Sequence, residues 1–149
     1  MSDKQDSRSH RVLVGAYIFD SDERMLLLKR NNPPKIYAPP GGRLLPGENP
    51  TDGIIREVKE EAGIDIELLG PALIWFGKLM ENSPPYLSID FLARAKNTDI
   101  QLSEEHNDFV WSSVDEIISK RIKTITENGY GYDIKSLIQA FELYNNLLI

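Results

Sequence analysis

Cysteine is absent from the 149-residue chain, which excludes a disulfide framework and any thiolate nucleophile or thiolate metal site. That absence fits a cytoplasmic location. No polybasic run is present either: 17 Lys and Arg stand against 23 Asp and Glu, a net charge of −6. Extended nucleic acid and anionic membrane are therefore poor partners, and a polyphosphate substrate would be repelled unless cations accompanied it. No stretch approaches the roughly 20 apolar residues of a membrane span, and the opening MSDKQDSRSHR lacks the apolar core of a signal peptide. Internal repeats and low-complexity segments are missing as well. What remains, 41% hydrophobic and 27% charged, is expected to form one domain over residues 11–149 behind a flexible tail at 1–10.

The densest chemistry lies between Gly42 and Ile64, GRLLPGENPTDGIIREVKEEAGI. Asn49 is a good N-cap, Pro50 suits the first helical position, and Gly63 suits the left-handed residue that stops a helix, so a helix is predicted from Pro50 to Ala62. Ile54, Ile55, Val58 and Ala62 share an apolar arc; Glu57, Glu60 and Glu61 are expected to face away from it and be presented. Glu57 has like charges at i+3 and i+4, each pair costing roughly 0.2–0.5 kcal/mol, and the carbonyl end of the helix dipole repels all three. A divalent cation would turn both repulsions into attraction. Oxygen ligands favour Mg²⁺, Mn²⁺ or Ca²⁺ over zinc.

A solvated acidic face would explain an isolated glutamate cluster, but the pattern is longer. Gly42, five residues, Glu48, seven residues and then Arg56-Glu57-Val58-Lys59-Glu60-Glu61-Ala62-Gly63-Ile64 resembles the Nudix box, the signature of the Nudix hydrolase superfamily. Seven fixed positions at roughly 7% usage each would match by chance about once in 10⁸ starting points. The resemblance implies a Mg²⁺-dependent pyrophosphohydrolase, with Mn²⁺ as a substitute, acting on a nucleoside diphosphate linked to a group X. It also implies that Glu57 and Glu61 are the main metal ligands, with Glu60 adding a ligand or holding a metal-bound water and the Gly41 carbonyl completing the set. Glu48 would pair with Arg56 and orient the carboxylates. Glu57 is the preferred general base. Isopentenyl diphosphate isomerase shares the fold but works through a cysteine, and this chain has none.

Ser103-Glu104-Glu105-His106-Asn107-Asp108-Phe109-Val110-Trp111 is similar to a Glu-His segment of many Nudix hydrolases whose glutamate reaches the metal site. By that likeness Glu105 is a candidate ligand or base, Glu104 is the fallback, and His106 is a packing or hydrogen-bonding residue. Lys29, Arg30, Lys35 and Arg43 lie near the box and could meet phosphates. Trp75, Phe76 and Tyr86 are read as core aromatics, with stacking on a base as the alternative. A proline that marks many ADP-ribose hydrolases falls on Leu79, which weighs against ADP-ribose and towards nucleoside triphosphates.

Strands are expected at Val12 to Phe19 and Met25 to Lys29, joined as a hairpin, and at Ala72 to Met80 and Tyr86 to Arg94, the last with Leu87, Ile89, Phe91 and Ala93 on one face. Ser113 opens a short helix, and Ile134, Leu137, Ile138, Phe141 and Leu148 mark a C-terminal amphipathic helix. Its end, Leu147-Leu148-Ile149, is expected to anchor in the core, with a homodimer contact as the alternative. The order fits an α/β fold and looks like the Nudix α/β/α sandwich around a mixed β-sheet. A non-catalytic Nudix domain sensing a nucleotide, an ADP-ribose or nucleotide-sugar hydrolase, and a plain calcium-binding protein are the competing readings.

Overall fold

The computed structural model describes residues 10–148. The expected tail lies outside the described residues except for His10, whose ring meets Phe76 edge-on at 5.6 Å. Seven strands form one mixed sheet: β1 (Arg11–Phe19), β2 (Met25–Arg30), β3 (Tyr37–Ala38), β4 (Gly41–Arg43), β5 (Ile66–Lys78), β6 (Pro85–Ala95) and β7 (His106–Ser112). The order is β3-β2-β1-β6-β5, with β4 also on β1 and β7 also on β2. The β1–β6 pair is parallel and the others are antiparallel. Three helices, α1 (Pro50–Ala62), α2 (Val114–Ile118) and α3 (Ile134–Leu147), cover its two faces.

Alternation along β1 divides the core in two. Val14, Ala16 and Ile18 join Leu26, Leu28, Phe91 and Ala93 under Ile54, Val58 and Ala62 of α1. Tyr17 and Phe19 point the other way and pack with Met25, Leu27 and Leu92 against Ile117 of α2 and Leu137, Ala140, Phe141 and Tyr144 of α3. Each fully buried aliphatic or aromatic side chain stabilises by about 1.5–3 kcal/mol, so both helical layers are held by the sheet rather than by their own propensity.

The β1–β2 hairpin forms where expected, with Asp20 as its organiser: one carboxylate oxygen accepts the amides of Asp22 (3.0 Å) and Arg24 (2.9 Å). Strand β5 begins at Ile66, six residues before the expected start, because the Gly70-Pro71 breaker is absorbed as register shifts against β6. Strand β7 was not anticipated, since its polar opening His106-Asn107-Asp108 conceals the pairing with β2. Leu147 and Leu148 are exposed, correcting the expected core anchor at those two residues, while Ile149 lies outside the described residues; α3 ends its buried stripe at Tyr144.

Candidate active site

Local rules set α1 where the site needs it. The Asn49 side chain accepts the Asp52 amide, and Gly63, at φ 70°, donates its amide to the Lys59 carbonyl. Its buried arc differs from expectation. Seven residues advance the helix by about 20° short of two turns, so Glu61 lies beside Ile54, not opposite it. Accordingly Glu61 is buried, at 7% exposed, while Ile55 at the far edge of the apolar arc is 44% exposed. Only Glu60, with a side chain 59% exposed, is presented as the sequence suggested.

Arg56 ties the first layer of carboxylates together. Its Nε and Nη2 each donate to Glu48 at 2.8 Å, a bidentate pair, and Nη1 donates to Glu57 at 3.0 Å and Glu60 at 3.2 Å. Nη2 also reaches the Arg43 carbonyl at 3.2 Å, fixing the loop before the helix. Hydrogen bonds from Arg56 and then from the Leu45 amide hold the Glu48 carboxyl down at about 2. The same bond to Glu48 raises the Arg56 guanidinium further above its ordinary range. Glu57 packs against backbone: a Cβ on Gly42 would stand 2.5 Å from its carboxyl carbon.

Glu61 is the inner member. Its Oε1 accepts the Gly41 amide at 2.8 Å, and its Oε2 faces His106 Nε2 at 3.9 Å. Burial pushes the Glu61 carboxyl up to about 8, opposed by the Gly41 amide and reinforced by the charges of Glu57, Glu105 and Glu60. Glu57 is raised too, chiefly by burial, against the pull of Arg56. Ligand atoms of Glu61, Glu105 and His106 lie within 4.8 Å of one another. Burial, then the charge of Arg30, pushes His106 below its ordinary value while Glu105 pulls it up; its Nδ1 is buried with no hydrogen-bond partner. Convergent carboxylates whose burial resists ionisation, together with an unpartnered imidazole, form a donor set that fits a divalent cation.

A cavity of about 310 Å³ opens on the α3 side of the sheet, lined by Tyr17, Arg30, Trp75, Lys78, Asp90 and Tyr132 among others. Asp90 is buried and accepts Ser88 Oγ at 2.7 Å and Tyr17 Oη at 3.2 Å. Its carboxyl is raised by burial, which those two bonds oppose. Gly15 lacks a side chain where Asp90 and Tyr132 converge: a Cβ there would meet Asp90 Oδ1 at 2.7 Å and the Tyr132 hydroxyl at 3.4 Å. Gly15 pairs with Gly41, whose amide holds Glu61, so one glycine pair stands between cavity and carboxylates. Tyr132 registers both sides. Burial raises its hydroxyl pKa, and the charges of Asp90 and Glu61 add to the effect.

These features have counterparts in known proteins, and the family model described as the NUDIX domain matches residues 9–130. The chain belongs to the Nudix hydrolase family. This Nudix hydrolase is similar to the asymmetrical bis(5'-nucleosyl)-tetraphosphatase of Caenorhabditis elegans, with 36% identity across 91% of this chain and 90% of the relative. Among solved structures, a C. elegans Ap4A hydrolase superposes with a TM-score of 0.69 at 27% identity, covering 91% of this chain and 98% of that one. A MutT protein from Methanosarcina mazei superposes with a TM-score of 0.72 at 24% identity, over 95% and 97% of the two chains, a likeness of fold. The reaction class is hydrolysis of a phosphoanhydride bond in a nucleotide substrate.

In this Nudix hydrolase Glu48, Arg56, Glu57 and Glu60 share one hydrogen-bonded network, and Glu61 and Glu105 meet beside it. Gly41, named in the sequence for its carbonyl, joins the group through its amide, which donates to Glu61. Arg30 lines the cavity; Lys35 and Arg43 are exposed and do not. Trp75 lines the cavity, Tyr86 is buried as a core residue, and Phe76 is exposed, correcting its assignment to the core. His106, expected as a packing or hydrogen-bonding residue, stands in the carboxylate group, and Asp90, not singled out in the sequence, lines the cavity. For Asp90 a signal existed, since Ser88 and Asp90 stand between Tyr86 and Leu92 on one face of β6, where buried residues are expected to be apolar.

Proposed function

We propose that this Nudix hydrolase is a divalent-metal-dependent pyrophosphohydrolase of nucleoside polyphosphates, with a dinucleoside tetraphosphate as its preferred substrate. The observation that carries the reading is the cavity beside the carboxylates. At about 310 Å³ it is at the small end of the range of roughly 300–1,000 Å³ for ligand pockets and suits one nucleoside, with the polyphosphate leaving past Arg30. Arg30 supports this role because its buried Nε has no hydrogen-bond partner. The triphosphate favoured by the sequence gives way to the dinucleotide because of the 36% identity with an asymmetrical tetraphosphatase along nearly the whole chain.

Glu61 and Glu105 would hold the ion, with Glu57 and Glu60 adding negative charge around it. When bound, Mg²⁺ or Mn²⁺ supplies polarisation of the phosphoanhydride oxygens and lowers the pKa of a water. Glu57 takes the proton from the attacking water; its raised carboxyl pKa makes it a better base than an ordinary glutamate. Arg56 holds Glu57 in place through one oxygen. Trp75 offers a flat apolar face to a base.

Product analysis tests the reading. Incubation with diadenosine tetraphosphate, ATP and ADP-ribose, with Mg²⁺ or with chelator, should give equal ATP and AMP from the first substrate, fastest of the three and only without chelator. Two ADP per substrate would overturn the asymmetric assignment, faster ADP-ribose turnover the substrate class, and chelator-resistant turnover the metal requirement.

A further inference from the structure

We propose that His106 is a nitrogen ligand of the metal site, giving it a mixed oxygen and nitrogen donor set that prefers Mn²⁺ or a similar transition-metal ion to Mg²⁺. The inference rests on the metal-dependent reading above and extends it.

The argument begins with strand register. Asp108 pairs with Lys29, yet the next pair is His106 with Arg30, so Asn107 is an extra residue and the ladder bulges there. Phe109 and Trp111 sit opposite Leu28 and Leu26 on the α1 side of the sheet. Uninterrupted alternation would give His106 the opposite face, with Asp108 and Val110. The bulge shifts it by one position and turns it towards α1, the kind of re-aiming that bulges produce beside active sites. The turn sets the imidazole against the buried carboxylate of Glu61.

His106 then arrives with its side chain only 10% exposed, its Nδ1 unpartnered and its Nε2 3.9 Å from Glu61 Oε2. That separation is too long for a hydrogen bond. It lies between the limits for two atoms on one ion: ligands each about 2.1 Å from a shared centre are about 3.0 Å apart when adjacent and about 4.2 Å apart when opposite. The Glu105 carboxylate completes a group within 4.8 Å, and Glu105 is exposed and free to rotate inward. An imidazole in this set shifts preference along the transition series, since nitrogen donors suit Mn²⁺, Co²⁺ and Zn²⁺ better than they suit Mg²⁺.

Pulsed electron paramagnetic resonance on the Mn²⁺-loaded full chain tests this without reference to turnover. A directly bound imidazole gives nitrogen modulation of the Mn²⁺ echo, and selective ¹⁵N-histidine labelling should change its frequencies. In His106→Gln the modulation should vanish, and Mn²⁺ affinity should fall about tenfold or more with a smaller change for Mg²⁺. Mn²⁺ bound to the native protein without nitrogen modulation would overturn this inference and leave the carboxylate site standing. Modulation that survives in His106→Gln would also overturn it. Failure of the native protein to bind Mn²⁺ or Mg²⁺ at all would remove the metal-dependent reading itself.

Discussion

Replacing Glu61 by Gln should stabilise the metal-free protein and remove metal binding in the same stroke. In the fold this carboxyl is moved from its ordinary 4.5 up to about 8, first by burial and then by the neighbouring glutamates. A group whose folded pKa lies above its unfolded one supports the fold below the unfolded pKa, and that support is lost as pH rises through the folded pKa. Metal-free native protein should therefore weaken between about pH 4.5 and pH 8. At 1.36 kcal/mol per pH unit the full span is about 5 kcal/mol, an upper limit because Glu57 and Glu105 share the same repulsion. Glutamine keeps a carbonyl oxygen for the Gly41 amide and carries no charge. The variant should gain about 2–3 kcal/mol over native protein at pH 8 and almost nothing at pH 4.5. Urea unfolding in chelator at pH 4.5, 6 and 8 reads the difference. A gain independent of pH, or a variant less stable at pH 8, would refute the reasoning. Adding Mg²⁺ or Mn²⁺ at a hundred times its Kd should then stabilise native protein by about 2.7 kcal/mol and the variant far less.

Gly42→Ala would drive a Cβ into the Glu57 carboxylate, and kcat should fall about 100-fold with the circular dichroism spectrum unchanged. Arg56→Lys keeps the charge but loses the fork that joins Glu48, Glu57 and Glu60; kcat should fall about 10- to 100-fold, and near-native kcat would show that the network is ornamental. Trp75→Ala removes part of the cavity wall and none of the carboxylates, so KM should rise about tenfold while kcat stays within about threefold; the reverse split would place the substrate elsewhere.

The box helix was legible because its rules are local: Asn49, Pro50 and Gly63 mark its ends without help from the rest of the chain. Glu61 was legible as a candidate ligand but not as a buried residue. Its burial depends on α1 lying against β4, where the Gly41 amide meets it, and that is a tertiary fact. The direction of His106 stayed hidden for a related reason. It follows from one extra residue in the β2–β7 ladder, and register is invisible when the strand itself is masked by polar residues. Ile55 shows the opposite failure. Helical periodicity put it in the apolar arc, but it stands at the arc's far edge and faces solvent.

The Gly15–Gly41 pair has a consequence for divergence. Cavity-lining residues such as Trp75 and Asp90 lie beyond one side of this pair, and the acidic helix lies beyond the other. Arg30 and Tyr132 are felt on both sides, so the cavity can be resculpted for a different base or sugar with least effect on the carboxylates at positions away from those two. A bulkier residue at either glycine would weld the two compartments together, since each Cβ would strike Asp90 or the β1 backbone. The thin partition lets one hydrolytic engine be fitted with many recognition chambers, with Arg30 and Tyr132 as the positions where a change in one room is felt in the other.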